Sequence, residues 1–241
     1  MMNLILTMAG KYERFRLFGN KVPKYLMPLG SRTVLWHVID KLIDSNKELN
    51  VFLIANERDI EFEPIVKSIM QELGISADNI KYIKDTHSQL ETAIMASNFV
   101  NENCDDGIVF TNIDTILSNR SDYFWKLAKL SKFDGIIDTF EGDSHEYSYA
   151  QIEDEKVIKI VDKLPISNNA CSGLYGFGSA STFFIKAKKL FSKNKESGFT
   201  ELLNKYIEGP EVVYYHKNDY RNDTVVLGTP EEYITNLHKI K

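Results

Sequence analysis

Two stretches of the chain carry groups suited to phosphate and to a divalent cation. The first is Met8-Ala9-Gly10-Lys11-Tyr12-Glu13-Arg14-Phe15, continuing to Val22-Pro23-Lys24-Tyr25-Leu26. It holds Lys11, Arg14, Arg16, Lys21 and Lys24, with Arg32 beyond. Turn N–H groups together with guanidinium and ammonium groups suit a polyphosphate. The second is Asn112-Ile113-Asp114, which closes an apolar run. Its carboxylate is a hard-cation ligand. Each residue also has a plain reading: Lys24 as a solvated lysine, Asp114 as a turn residue or helix cap. The restraint of Pro23 beside Lys24 and the company of Arg14 favour function for the first. The strand context favours it for the second.

The neighbouring elements place both stretches on one edge. Residues 3–7 are a short apolar run that reads as a buried strand. Residues 33–44 carry Val34, Leu35, Val38, Ile39, Leu42 and Ile43 at helical spacing. The connection between them, roughly two dozen residues, is long enough to imply a function or disorder. Strands are predicted at 51–55, 80–83 and 107–110. Helices are predicted at 60–73, ended by Gly74, at 88–100, and from Ser121 to about 130. This β-α-β-α order predicts a mostly parallel sheet with helices on both faces. Loops at the carboxyl ends of such strands are where ligands bind.

The second half has a different character. Strand-like runs at 134–140, 147–152, 157–161 and 170–177 have short or polar breaks, with a hairpin turn expected at 153–156. This half reads as mixed or antiparallel. Helices at 181–191 and 198–207, strands at 212–215 and 224–227, and a closing helix from Pro230 follow.

Composition narrows the classes. The chain has 241 residues, 29 basic and 34 acidic, for a net charge of −5. That balance argues against general nucleic-acid binding while leaving room for a local basic pocket. Cys104 and Cys171 have no metal-ligand spacing and read as buried thiols in a reducing compartment. Residues 3–9 are too short, and lack the basic leader, for a signal peptide. No apolar run is long enough to span a bilayer, so a cytoplasmic protein is expected. P-loop, HExxH and G-x-S-x-G patterns are missing.

The first stretch resembles the signature G-x-G-x-R-F followed by P-K of nucleotidyltransferases that activate sugar 1-phosphates and similar phosphorylated acceptors. Gly10, Arg14, Phe15, Pro23 and Lys24 match it. Tyr12 stands at the usual second glycine. Asn112-Ile113-Asp114 resembles the family's N-x-D motif, where a related glycosyltransferase would usually show D-x-D. Residues 86–93 resemble the base-recognition segment of capsule-pathway members, although Ser88 and Glu91 equally form a capping box. Asp162-Lys163 and residues 172–177 resemble the acceptor half. Leu227-Gly228-Thr229-Pro230-Glu231-Glu232 matches the family's closing motif, with Val226 where an acid is usual. Thr229-Pro230 is also a strong helix start.

The resemblance implies one domain over 1–241, a Rossmann-like αβα sandwich (nucleotidyltransferase or GT-A-like) with a mixed, mostly parallel sheet. The nucleotide half is expected over about 1–130 and the acceptor half over about 131–241. It implies transfer of NMP from a pyrimidine nucleoside triphosphate, CTP favoured, to a phosphoglutamine-like or sugar 1-phosphate acceptor, with Mg²⁺. Lys24, Arg14 and Lys163 are the expected catalytic residues. Met8, Ala9, Gly10, Lys11, Gln89, Thr92 and Asn112 are expected at the nucleotide. Gln89 has a donor and an acceptor to offer a pyrimidine edge. Asp162, Lys163, Gly173 and Tyr175 are expected at the acceptor. Asp114 is expected on the metal, with Asp223, and less so Asp219, replacing the missing acid. A non-catalytic nucleotide-binding or regulatory protein of the same fold is the alternative, and Tyr12 and Val226 argue for it.

Overall fold

The run 3–7 becomes strand β1, Met2–Met8, and its side chains alternate between two apolar cores. Leu4, Leu6 and Met8 enter one, and Ile5 enters the other. A sheet with an apolar layer on each face follows from that pattern. This is a computed structural model, and it describes residues 2–102, 106–120, 122–130, 134–218 and 223–240.

The long connection after β1 is partly built. It contains α1 (Glu13–Leu17), a 3-10 turn (Lys24–Leu26) and the small hairpin β2 (Pro28–Leu29) and β3 (Arg32–Thr33). Helix α2 (Val34–Ser45) starts where expected, because the Thr33 hydroxyl accepts from the Trp36 N–H at 3.3 Å. Strand β4 (Leu49–Asn56) leads into a 3-10 turn (Glu57–Phe62) and α3 (Glu63–Glu72). The expected helix at 60–73 is thereby split, and Pro64 sits in the first α-helical turn, the one place where its missing N–H costs nothing. Strand β5 (Ile80–Ile83), the short α4 (Gln89–Ile94) with a 3-10 extension (Met95–Asn98), β6 (Ile108–Asn112), β7 (Thr115–Leu117) and α5 (Asp122–Leu130) complete the first half. The expected cap Ser121 and Cys104 lie outside the described residues.

In the second half β8 (Gly135–Glu141), β9 (Ser148–Glu153), β10 (Lys156–Asp162) and β11 (Asn169–Phe177) are followed by α6 (Ala180–Lys193) and α7 (Phe199–Ile207). Then come β12 (Val213–Asn218), β13 (Thr224–Val226) and α8 (Pro230–Asn236). The hairpin turn between β9 and β10 is present, with Asp154 and Glu155 both at positive φ, as a two-residue turn matched to strand twist requires.

Nine strands form one mixed sheet in the order β5-β4-β1-β6-β11-β8-β12-β10-β9. The first four are parallel, whereas β11 runs antiparallel between β6 and β8. The chain leaves β1 toward β4 on one side and returns to β6 on the other. That reversal opens a crevice at the carboxyl ends of β1 and β6. The parallel character foreseen for the sheet belongs to the first half, and the same sheet continues unbroken through the mixed second half, where β8 and β12 are parallel.

Strands β7 and β13 pair separately as a two-stranded ribbon. Arg120, fully buried, pins the open end of this ribbon by donating to the Ser118 and Asp223 carbonyls at 2.6 and 2.7 Å and to the Thr224 hydroxyl at 2.8 Å. Its other N–H groups go to Asp138 on β8 at 3.1 and 3.2 Å, so the cation is paired and every donor is used. Asp138 in turn accepts from Ser172 on β11 at 2.6 Å. Cys171 is a buried free thiol that burial pushes up to about 12, an unreactive value. Among the described residues no helix is long and apolar enough to cross a membrane.

Candidate active site

Two cavities meet at the crevice. The larger, about 830 Å³, is lined by Met8, Ala9, Gly10, Lys11, Tyr12, Arg14 and Lys24 from the signature loop and by Gln89, Thr92, Asn112 and Asp114 opposite. The smaller, about 230 Å³, is lined by Glu146, Tyr147, Ser148, Gly173, Tyr175 and Val226. Arg14, Gln89, Asn112, Asp114 and Gly228 belong to both walls. The residues expected at the nucleotide thus gather in one place, and Gly173 and Tyr175 gather in the adjoining one.

Lys24 and Asp114, ninety residues apart, meet at the junction with Nζ 2.7 Å from the Asp114 Oδ2. Both side chains are three-quarters or more buried. Asp114 is held in register because its carbonyl accepts from the Leu227 N–H at 2.7 Å, which fastens the β6–β7 turn to the closing motif. Arg14 is paired at 2.8 Å with Glu146, in the loop between β8 and β9. Both members of that pair are about half exposed, so it is weak and exchangeable for a phosphate.

Asn112 sits between the cavities because Gly173 lets it. Gly173 has φ +89 and lies in the bulge of β11. A Cβ built there would stand 2.7 Å from the Asn112 Cγ. The close approach that this glycine permits is therefore that of Asn112. Asn112 accepts a hydrogen bond from the Gln89 Nε2, which also donates to the Thr7 hydroxyl at 2.9 Å. Both Gln89 N–H groups are spent inside the protein, which leaves its Oε1 as the acceptor facing the cavity. Thr92 is buried and shares a 2.7 Å hydrogen bond with Thr86. The Ser88 cap forms at 3.3 Å, yet the Glu91 carboxylate takes the His87 N–H at 2.6 Å, one residue before the position a closed capping box needs. The Thr229 box is complete: the Thr229 hydroxyl accepts from the Glu232 N–H at 3.1 Å, and the Thr229 N–H donates to the Glu232 carboxylate at 2.9 Å.

Three of the expected residues are not brought to the two cavities. Asp223 is not at the Lys24–Asp114 junction. Its carbonyl accepts from the Ser118 N–H, four strand residues past Asp114, and its carboxylate accepts from Asn119 at 3.0 Å. At about 3.3 Å per residue it lies roughly 13 Å down the ribbon. Asp219 lies outside the described residues. Lys163 is exposed, at φ +54 past the end of β10, and lines neither cavity. Asp162 does not line them either, and touches the smaller one indirectly by accepting from the Ser148 hydroxyl.

Val226, at the position where the resemblance expects an acid, pairs with Thr115 in the ribbon and lines the smaller cavity. Valine there packs with Phe140, Tyr149 and Ala170. Among the described residues no group of three or more His, Cys, Asp or Glu is gathered to hold a metal ion. The donor set suits Mg²⁺ only in the mode where one carboxylate is joined by waters and substrate phosphate oxygens.

Several residues at the site carry no sequence motif. Glu146 and Tyr147 reach the smaller cavity from a turn, with the Tyr147 hydroxyl donating to Glu232 at 2.7 Å. Asp85 lines the larger one and is held by Arg58 at 2.6 Å and Asn56 at 2.9 Å. The signal that could have found them is their place, a polar cluster just past the carboxyl end of a buried parallel strand.

This arrangement belongs to the mixed α/β fold of solved nucleotidyltransferases. The chain superposes on a nucleoside-diphosphate-sugar pyrophosphorylase from Vibrio cholerae with a TM-score of 0.81 at 23% identity, over 98% of this chain and 99% of that one. For an inositol-1-phosphate CTP transferase from T. maritima the TM-score is 0.76 at 12% identity, over 99% and 93%. In sequence it is 26% identical over 235 residues to the bifunctional protein GlmU of Methanococcus maripaludis, covering 92% of this chain and 51% of that protein. The chain therefore spans about half the length of the curated relatives it matches. No family model matches it.

Proposed function

We propose that the chain is a nucleotidyltransferase that moves NMP from a pyrimidine nucleoside triphosphate to a small phosphorylated acceptor and releases pyrophosphate. The observation that carries this is Lys24, in the larger cavity, paired with Asp114, which lines both adjoining cavities. The larger cavity would take the triphosphate and the smaller the acceptor. An acceptor phosphate oxygen would form a bond to the α-phosphorus as the bond to the pyrophosphate oxygen breaks, with no covalent enzyme intermediate. Catalysis of this kind is alignment and charge stabilisation. Lys24 and Arg14 would bind and orient phosphate oxygens, Arg14 leaving Glu146 to do so. Asp114 would hold Mg²⁺, which when bound supplies positive charge to the triphosphate oxygens. The similarity to GlmU and the fold shared with sugar-nucleotide enzymes support the class.

Within this reading we favour CTP and a phosphoglutamine-like or sugar 1-phosphate acceptor, in cytoplasmic synthesis of capsule or surface polysaccharide. The likeness of residues 86–93 to the capsule-pathway segment supports that choice. The free Oε1 of Gln89 suits the amino group of cytosine or the N3–H of uracil, so a base panel must separate them. The deciding experiment is pyrophosphate release from CTP, UTP, dTTP and ATP against a set of phosphorylated acceptors, with Mg²⁺ or EDTA. Release with one pyrimidine nucleotide is the expected result. Tight nucleotide binding with no release from any pair would favour the non-catalytic binder to which Tyr12 and Val226 point.

A further inference from the structure

We infer that Asp59 is a positioning residue that clasps both ends of the phosphate-binding loop through two tyrosine hydroxyls. The inference rests on the nucleotidyltransferase reading for its kinetic consequences, and on geometry alone for the clasp. Asp59 lies in the 3-10 turn after β4 and is 2% exposed. Among the described residues no lysine, arginine or histidine comes within ion-pair distance of it. A buried carboxyl with no cation in contact, Arg58 and Arg16 acting on it only from a distance, has to be satisfied by hydrogen bonds. Here they come from the Tyr12 hydroxyl on Oδ1 and the Tyr25 hydroxyl on Oδ2, the latter at 3.2 Å.

Those two tyrosines are placed for leverage. Tyr12 is two residues before Arg14, and Tyr25 directly follows Lys24. Tyr25 is fully buried, while the Tyr12 ring forms part of the wall of the larger cavity. One carboxyl therefore fixes the spacing between the two cationic ends of the loop. Tyr12 also occupies the signature's glycine position in the left-handed conformation, φ 38 and ψ 41. Glycine would adopt it freely, and an L side chain only under strain. The strain is offset by the hydroxyl bond and by the Arg16 and Arg58 guanidinium groups over the ring, at 5.0 and 5.9 Å from its centroid. The same turn holds the start of the loop, because Asn56 and Arg58 both donate to the Ala9 carbonyl, at 3.4 and 3.3 Å. Tyrosine here exchanges a flexible glycine hinge for an anchored one.

The test uses the full chain with Asp59→Ala, Tyr12→Phe, Tyr25→Phe and the double variant Tyr12→Phe/Asp59→Ala. Hydrogen exchange is read over residues 10–26 and, as internal control, over β1 and β6. Steady-state kinetics are read with the nucleotide and acceptor that the parent uses. Each single variant is expected to accelerate exchange over 10–26 and leave β1 and β6 unchanged. KM for the nucleotide should rise about tenfold, with kcat within about threefold, on the scale of one lost hydrogen bond to a carboxylate. The double variant should be no worse than Asp59→Ala alone, because alanine leaves no acceptor for the Tyr12 hydroxyl and both changes then remove the same bond. Should Asp59→Ala fail to fold, the two Phe variants carry the test. Parental exchange over 10–26 in the Phe variants overturns the clasp, as do additive effects in the double variant. A parent that releases no pyrophosphate overturns the transferase reading instead, and leaves the exchange measurement to judge the clasp.

Discussion

Replacing Lys24 by alanine separates a catalytic role from a structural one by the size of two effects. The ammonium lies 2.7 Å from Asp114, with the side chains 18% and 25% exposed. Truncation leaves a carboxylate that water reaches in part. The stability cost should therefore sit between that of an exposed pair and that of a buried one, about 1 kcal/mol. In a chain of this size that corresponds to roughly 2–4 °C in melting temperature. If Lys24 stabilises charge on the reacting phosphates, its loss should lower turnover at least about a hundredfold, or about 2.7 kcal/mol of transition-state stabilisation. The activity loss thus exceeds the stability loss more than twofold in energy. Turnover is measured as pyrophosphate release at saturating nucleotide, beside a melt followed by circular dichroism. Lys24→Arg keeps the charge and changes the donor geometry, so it should recover part of the rate. A Lys24→Ala protein with a normal spectrum and near-parental turnover would remove Lys24 from the mechanism and refute the reading of the cavity junction.

Other expectations follow from the same geometry. Asp114→Asn should move the Mg²⁺ dependence of activity about tenfold or more toward higher metal, since a neutral amide is a poorer ligand for a hard cation; superimposable metal titrations would cancel the assignment. Gly173→Ala places a methyl against Asn112 at φ +89 and should cost about 1–2 kcal/mol from the left-handed backbone alone. It should also lower turnover about tenfold by displacing Asn112; parental melting and turnover together would contradict this. Burial, chiefly, lowers the pKa of His37 below its ordinary 6.5, with Lys41 and Arg32 adding to the shift. The unfolded chain then takes up a proton that the folded chain refuses, so stability should fall as pH drops from about 7 through 6.5 toward the lowered value. Urea midpoints across that window should fall less steeply for His37→Gln, and equal slopes in the two proteins would count against it.

Local signals in the sequence located the centre of the site. The apolar run 3–7 and the helical spacing after Thr33 bracket the loop that became α1, a 3-10 turn and a hairpin. Asp114 was legible because a buried strand runs directly into it. The start of α8 was legible because Thr, Pro and Glu each satisfy the first turn through bonds within four residues. Residues whose placement depends on a distant partner were not. Lys163 looked equivalent to Lys24 as a lysine beside a motif, yet the turn after β10 leaves it in solvent. Asp223 and Val226 could be ranked only by distance along the chain, and the β7–β13 register then put valine beside Asp114 and the acid far down the ribbon.

By itself the sequence determined what short-range physics can specify: which runs are strands or helices, where helices are capped, and which charged groups lie at the carboxyl ends of strands. Tertiary structure alone decided which of those groups meet. It placed β11 antiparallel beside β6, so that Gly173 faces Asn112. It brought Asp59 between Tyr12 and Tyr25, and it closed Arg120 on Asp138 across the sheet. These contacts join residues 18 to 61 positions apart in the chain. Their physical reason is the burial of polar and charged groups, which have to find partners wherever the packed core brings them.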